Sequence, residues 1–279
     1  MRHLTNPLPN TSAEAIFQEC VNTYTDMAKR IKLSLCKESV KKDSDNFISI
    51  GPCNITQYTA SELPNDVTEK DIIGVYEQKF VKKKSIGRKY YDKIMSNAPY
   101  GRCPICDIRP INNLDHYLPK SKYPLLVVTP QNLIPCCRDC NMDKSTHDIV
   151  TESDATLNPY FDVVSDDVWL AVTLDSNMSA IYYVEAPDNW TPVFKARVEN
   201  HFSLFKLQRL YGIHAFQEIN DKRLLMRNIY QCAGHEELLA FLVESKKSAE
   251  SASLNSWSAA LYRGLISYSE FLEEWLLKE

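Results

Sequence analysis

The sequence predicts a mainly α-helical protein with a small β-containing module near its middle, held by four cysteines, and a short β-hairpin in its C-terminal part. Three observations predict this. Apolar residues recur at helical spacing over most of the chain, and only 7 of its 279 residues are glycine while 24% are charged, a balance that favours helices. Two Cys-x-x-Cys pairs, Cys103/Cys106 and Cys137/Cys140, interrupt that pattern. Two alternating runs, VWLAVTL and AIYYVEA, flank the turn DSNM within 167–186.

The elements follow in chain order. Residues 13–40 place Ala15, Ile16, Cys20, Tyr24, Met27, Ile31 and Leu35 at helical spacing after a Ser12 cap, and KKDSDN at 41–46 reads as a polar loop. Residues 53–66 read as irregular. Thr68 opens a second helix, with Glu69 and Asp71 in its first turn, where acidic groups meet the helix dipole favourably. IGRKYYDKIMSNA forms a third, ending at Pro99. Residues 1–99 are thus a helical region, and 100–150 a separate module with short β segments near 109–116 and 132–135 and a helix from about 138. Residues 151–279 hold the hairpin and a helical tail that starts at Thr191-Pro192, a cap followed by proline at the first helical position, and breaks near Gly212, Gly234 and 248–253.

The formal net charge of −4 argues against a globally basic nucleic-acid coat, so any phosphate contact must be local. The N-terminus lacks the apolar core of a secretory signal, and LLAFLV at 238–243 is far below the roughly 18–20 apolar residues of a spanning helix. A cytoplasmic protein with no membrane partner is expected. In a reducing compartment nine cysteines do not make a disulfide framework, and closely paired ones bind metal. A two-residue gap lets each pair aim two thiolates at one tetrahedral ion, which predicts a structural Zn²⁺ on Cys103, Cys106, Cys137 and Cys140. Thirty residues separate the pairs, and loop closure costs rise only slowly with length. Buried or redox-active thiols are the alternative, and Cys136 competes with Cys137 as a ligand.

CPIC, LDHYLPKSKYP, NLIP and CRDCNMDK, in that order between 103 and 144, resemble the zinc-stapled HNH nucleases with a ββα-metal core. The resemblance implies that His116 is a general base that takes a proton from the attacking water, and that Asn132 holds the loop that orients it. It implies further that Asp115, facing the opposite side of its strand, and Asn141 ligate a catalytic Mg²⁺ or Mn²⁺. Lys120 and Lys144 are candidate phosphate contacts. Asn141 stands where other members carry histidine, and members with either exist. No small-molecule cofactor is implied. The layout also resembles the HNH subunit of two-component anti-phage systems of the Septu type, which implies an SMC/ABC-like ATPase partner docked on the C-terminal helices.

KFVKKKSIGRKYYDK at 79–93 carries seven Lys/Arg, one Asp and three aromatics. This composition suits a nucleic-acid backbone through Lys82, Lys83, Lys84, Arg88 and Lys89, and suits a solvated helix face equally. The expected function is endonucleolytic hydrolysis of phosphodiester bonds, in DNA or RNA. A zinc-stapled binding module without turnover is the alternative.

Overall fold

Helix formation begins where short-range signals agree. The computed structural model describes residues 1–64, 66–145 and 147–278, apart from the side chains of Glu270 and Phe271. Asn65 of the irregular stretch, Thr146 of the 100–150 segment and Glu279 of the tail lie outside the described residues. The chain divides into two compact units, Met1–Asp162 and Val163–Glu279.

In the first unit, α1 (Ala13–Val21) buries Ala13, Ile16, Phe17, Cys20 and Val21, an i, i+3, i+4, i+7, i+8 stripe. The 13–40 segment is not one helix. It breaks after Val21, and α2 (Met27–Ser34) starts afresh at Asp26, whose side chain accepts from Lys29 N. The break rotates the expected face, leaving Met27, Ile31 and Leu35 exposed. Ser12 sits at the start of α1, but its side chain makes no capping bond. The polar KKDSDN stretch is helical too, inside α3 (Lys37–Ile50), because Asp43 has partners distant in sequence: Tyr58 Oη donates to it at 2.7 Å and Ser61 N at 3.1 Å. Satisfied this way, a buried carboxylate is tolerated at the helix face.

The start at Thr68 is as expected. Thr68 and Asp71 form a capping box at α4 (Glu69–Val75). The helix then widens into a π-turn, Tyr76–Phe80, with Val81 N bonding Tyr76 O at 2.9 Å. Gly87 permits the next close approach. A Cβ there would lie 2.7 Å from Lys79 O and 2.8 Å from Cys20 Sγ, so α5 (Arg88–Met95) begins hard against the π-turn. Strands β1 (Asn113–His116) and β2 (Leu133–Cys136) pair antiparallel, with Asp115 opposite Ile134 and His116 opposite Leu133. Helix α6 (Arg138–Lys144) follows directly. Leu114, Leu125, Val127, Val128 and Leu133 join the side chains of α1 to α5 in one apolar core, so the helical lead-in is the backing on which the two strands lie.

The second unit holds the expected hairpin, β3 (Leu170–Leu174) against β4 (Ala180–Val184). Five helices follow: α7 (Pro192–Leu204), α8 (Leu207–Ala233), α9 (His235–Ala252), α10 (Trp257–Ser267) and α11 (Ser269–Leu277). Thr191 caps α7 by accepting from Phe194 N. Helix α8 runs unbroken through Gly212, where a side chain would approach Ala180 O at 3.2 Å; glycine here serves packing on β4 rather than a break. The break at Gly234 is real, with φ +84°. Helix α9 continues through most of SAESAS and ends at Ala252. Asn255 ties the hairpin down, accepting from Trp169 N at 2.9 Å and donating to Asp167 O at 2.7 Å. Among the described residues no helix is long and apolar enough to cross a membrane.

Candidate metal and catalytic site

The cysteine pairs converge because the strands between them return the chain to its starting point. Cys103 and Cys106 lie in a knuckle in which Asp107 N bonds Cys103 O at 2.7 Å and Cys103 N bonds Arg109 O at 2.8 Å. Cys137 precedes α6 as its cap, accepting from Cys140 N. The sulfurs of Cys103, Cys106, Cys137 and Cys140 all lie within 4.8 Å of one another, and all four residues are buried. Hydrogen bonds among the four thiols split them: led by the bond with Cys103, Cys106 is pushed strongly towards thiolate and Cys137 falls to about 7, while the same bonds push Cys103 and Cys140 up. Four soft donors at this spacing suit a tetrahedral Zn²⁺ with no open position. Cys136 stands outside the cluster, in β2, and burial drives its thiol well above the ordinary range, as befits a packed, unreactive side chain.

The end of β1 presents the other candidate residues. His116 is only 7% exposed; its Nε2 lies 3.0 Å from the Val127 carbonyl and the Tyr76 ring meets it edge-on at 4.6 Å. A carbonyl can only accept, so Nε2 carries the proton and Nδ1 carries the lone pair. Burial pushes His116 down to about 3, which keeps the ring neutral. Asn132, fully buried, accepts from Leu118 N at 2.7 Å and donates to Leu118 O at 3.2 Å and Leu126 O at 3.3 Å. It therefore clasps the residue adjoining Val127, and Val127 in turn holds the imidazole.

Asp115 and Lys144 form an internal ion pair, Oδ2 to Nζ 2.9 Å, and Lys144 also donates to His116 O at 2.7 Å. At 6% exposure Lys144 is spent inside the site and is not presented to solvent, contrary to a role as an outward phosphate contact. Helical spacing puts Asn141 on the Lys144 side of α6, where it is half-buried. Burial raises the Asp115 carboxyl, with the Lys144 ammonium on Oδ2 opposing the rise. A buried carboxylate whose charge Lys144 balances, with the amide of Asn141 on the Lys144 side of α6, offers the oxygen chemistry that a hard divalent cation takes.

Lys120 pairs with Glu77 at 2.6 Å and its ammonium lies 5.5 Å from the Tyr76 ring centre. Lys82, Lys83, Lys84, Arg88 and Lys89 are not at His116; they line a separate cavity of about 910 Å³. His147 bonds Asp154 O at 2.8 Å. Sequence reasoning misses Val127 and Tyr76. One acts through its backbone, and the other reads as an ordinary apolar helix position. It also misses the Arg109–Asp139 ion pair, 2.9 Å, which ties the first knuckle to α6.

Two curated proteins are similar to this chain. Protein ea31 of Escherichia phage lambda is 32% identical over 162 residues, covering 56% of this chain and 54% of that protein. Septu protein PtuB of Bacillus thuringiensis is 32% identical over 87 residues, 29% of this chain and 33% of that protein. The chain thus spans about half the length of the first and a third of the second. No family model matches the chain, and no solved structure matches it. A partial likeness to a Septu protein therefore stands beside a buried four-cysteine cluster suited to zinc.

Proposed function

We propose that the protein is a metal-dependent HNH endonuclease that hydrolyses phosphodiester bonds and acts in anti-phage defence together with an ATPase. The observation that carries this reading is the fixed, neutral His116: its Nε2 proton is held by Val127 O, so Nδ1 is left as the base. An imidazole locked in one tautomer is oriented for a single proton transfer. In this reading Nδ1 takes the proton of a water attacking the phosphorus, and Asn132 is a positioning residue that acts through the 126–127 backbone. Asp115 and Asn141 would hold a Mg²⁺ or Mn²⁺, which when bound stabilises charge on the scissile phosphate and the leaving oxygen. Lys144 balances the Asp115 charge from inside. The zinc cluster joins the two ends of the 100–150 nuclease core and takes no part in chemistry, residues 1–99 back that core, and 151–279 dock the partner. The likeness to a Septu protein supports the defence role.

Purified protein is incubated with plasmid DNA and with total cellular RNA in Mg²⁺ or Mn²⁺, alone and with any SMC/ABC-like ATPase found encoded beside its gene, in parallel with His116→Ala. Cutting that disappears in the variant, with zinc content unchanged, is the expected result. An intact substrate under every combination would reject the nuclease.

A further inference from the structure

We infer that the cavity between the π-turn and α5 is a phosphate-backbone site that captures a nucleic-acid strand beside His116. The charge pattern comes first. Within a chain of net charge −4, this cavity of about 910 Å³ is lined by Lys79, Lys82, Lys83, Lys84, Arg88 and Lys89, with Asp92 as its one acid. Three of the cations are engaged. Arg88 holds Asp92 at 2.8 Å, Lys89 holds Glu19 at 2.5 Å, and Lys79 donates to Thr23 O at 3.1 Å while lying over the Tyr24 ring. Lys82, Lys83 and Lys84 are exposed, and among the described residues none of the three is ion-paired with an acid, unlike Arg88 and Lys89 beside them. A solvated helix face disperses such charge, whereas a concave wall concentrates its field on whatever anion enters.

The wall is also built. Ser85 Oγ donates to Lys82 O at 2.6 Å, and Gly87 N bonds Lys79 O at 3.0 Å. These bonds fix the backbone that carries the three lysines, so the lysine stems radiate from a held loop. The segment also reaches the proposed catalytic residue. The π-turn that supplies Lys79 begins at Tyr76, whose ring packs on His116, and its Glu77 holds Lys120. Lys79 stands about 5 Å along the axis from Tyr76 at about 1.5 Å per helical residue, and the turn that carries Lys82, Lys83 and Lys84 follows it directly. A strand that rises roughly 3.4 Å per phosphate covers that distance in about one to two steps. A strand whose phosphate lies at His116 would thus put its neighbours at the lysines. The cutting part of this inference rests on the nuclease reading; the binding part does not.

The test is binding of fluorescent 20-nucleotide single-stranded DNA, single-stranded RNA and a DNA duplex to the full chain, with no divalent metal added, over a range of salt. Wild type, the control Lys37→Ala/Lys42→Ala and the triple variant Lys82→Ala/Lys83→Ala/Lys84→Ala are compared, each with its melting temperature. The triple variant should melt like wild type and bind at least about tenfold more weakly. Its slope of log K against log salt should be shallower by about two to three, since each phosphate contact contributes roughly 0.7–0.9. Lys37→Ala/Lys42→Ala, exposed lysines of α3 outside the cavity lining, should bind like wild type. Equal affinity and slope in the triple variant overturn the site, as does a wild type that binds none of the three probes. Displacement of the oligonucleotide by micromolar inorganic triphosphate would reassign the cavity to a free polyphosphate and overturn the strand. Binding lost in the triple variant, combined with no cutting by wild type, would keep this site and remove the nuclease.

Discussion

Replacing Asn132 with alanine deletes three hydrogen bonds from one fully buried amide and strands the N–H and C=O of Leu118, while Leu126 C=O keeps its bond from Thr129 N. Each such bond contributes about 0.5–1.5 kcal/mol net, and leaving buried partners unpaired moves the loss towards the upper end. A total near 3 kcal/mol follows. For a unit the size of Met1–Asp162, about 2–4 °C is lost per kcal/mol, so the melting temperature should fall by about 6–12 °C. Calorimetry reads the fall directly, and Asn141→Ala, whose half-buried amide makes none of these bonds, should shift stability by less than about 0.5 kcal/mol. A second readout isolates positioning. Nitrogen NMR of His116 should show a single Nε2–H tautomer in wild type and a mixture in Asn132→Ala, because the Val127 carbonyl loses its anchor next door. A fall under about 2 °C with the tautomer unchanged would refute the clasp.

The other predictions follow the same physics. Purified protein should carry one zinc per chain by elemental analysis; Cys103→Ser should lose it and destabilise the first unit, since a structural zinc site supplies folding free energy. Cys136→Ser should retain it, and zinc loss there would contradict the ligand set. Lys144→Met leaves the Asp115 carboxylate buried without its cation, a loss of about 3 kcal/mol by the usual cost of breaking a buried pair. Added Mn²⁺ should restore part of that loss in a thermal melt, and a variant as stable as wild type without metal would show that the pair is not structural. For acid stability, the hydrogen bond from Lys32 lowers the Asp71 carboxyl from 3.8 to about 2. A depressed carboxyl stabilises above its unfolded value and ceases to do so as pH falls through the folded one, so the contribution should vanish between about pH 4 and 2. Lys32→Met should flatten that limb of a urea-midpoint profile; parallel profiles would dismiss the pair.

What is legible in the sequence is what short-range chemistry decides. The Thr68–Asp71 box, the Thr191-Pro192 start and the turn between the two alternating runs each depend on neighbours, and each is found where the residues say. The cysteine cluster is legible because paired thiols carry their purpose in their spacing. The break between α1 and α2 is not, since Met27, Ile31 and Leu35 keep a helical period while facing solvent. Nor is the helical KKDSDN, whose Asp43 is satisfied by Tyr58 and Ser61, or the passage of α8 through Gly212. At the candidate site, the adjacency of Asp115 and His116 on a strand can be read. Their surroundings cannot, because Val127, Tyr76 and Lys144 arrive from other segments.

The π-turn at Tyr76–Phe80 holds one residue more than an α-helix would use for the same length. Excising a single residue there would heal the helix, and by the 3.6-residue repeat it would turn the adjoining segment 81–84 by about 100° relative to Tyr76. Tyr76 would stay against His116 while the lysine wall turned to a new bearing. A one-codon deletion is therefore a means of separating the two halves of this surface without touching any charged group, and natural relatives that differ in length at this point should differ in how the two surfaces are aligned.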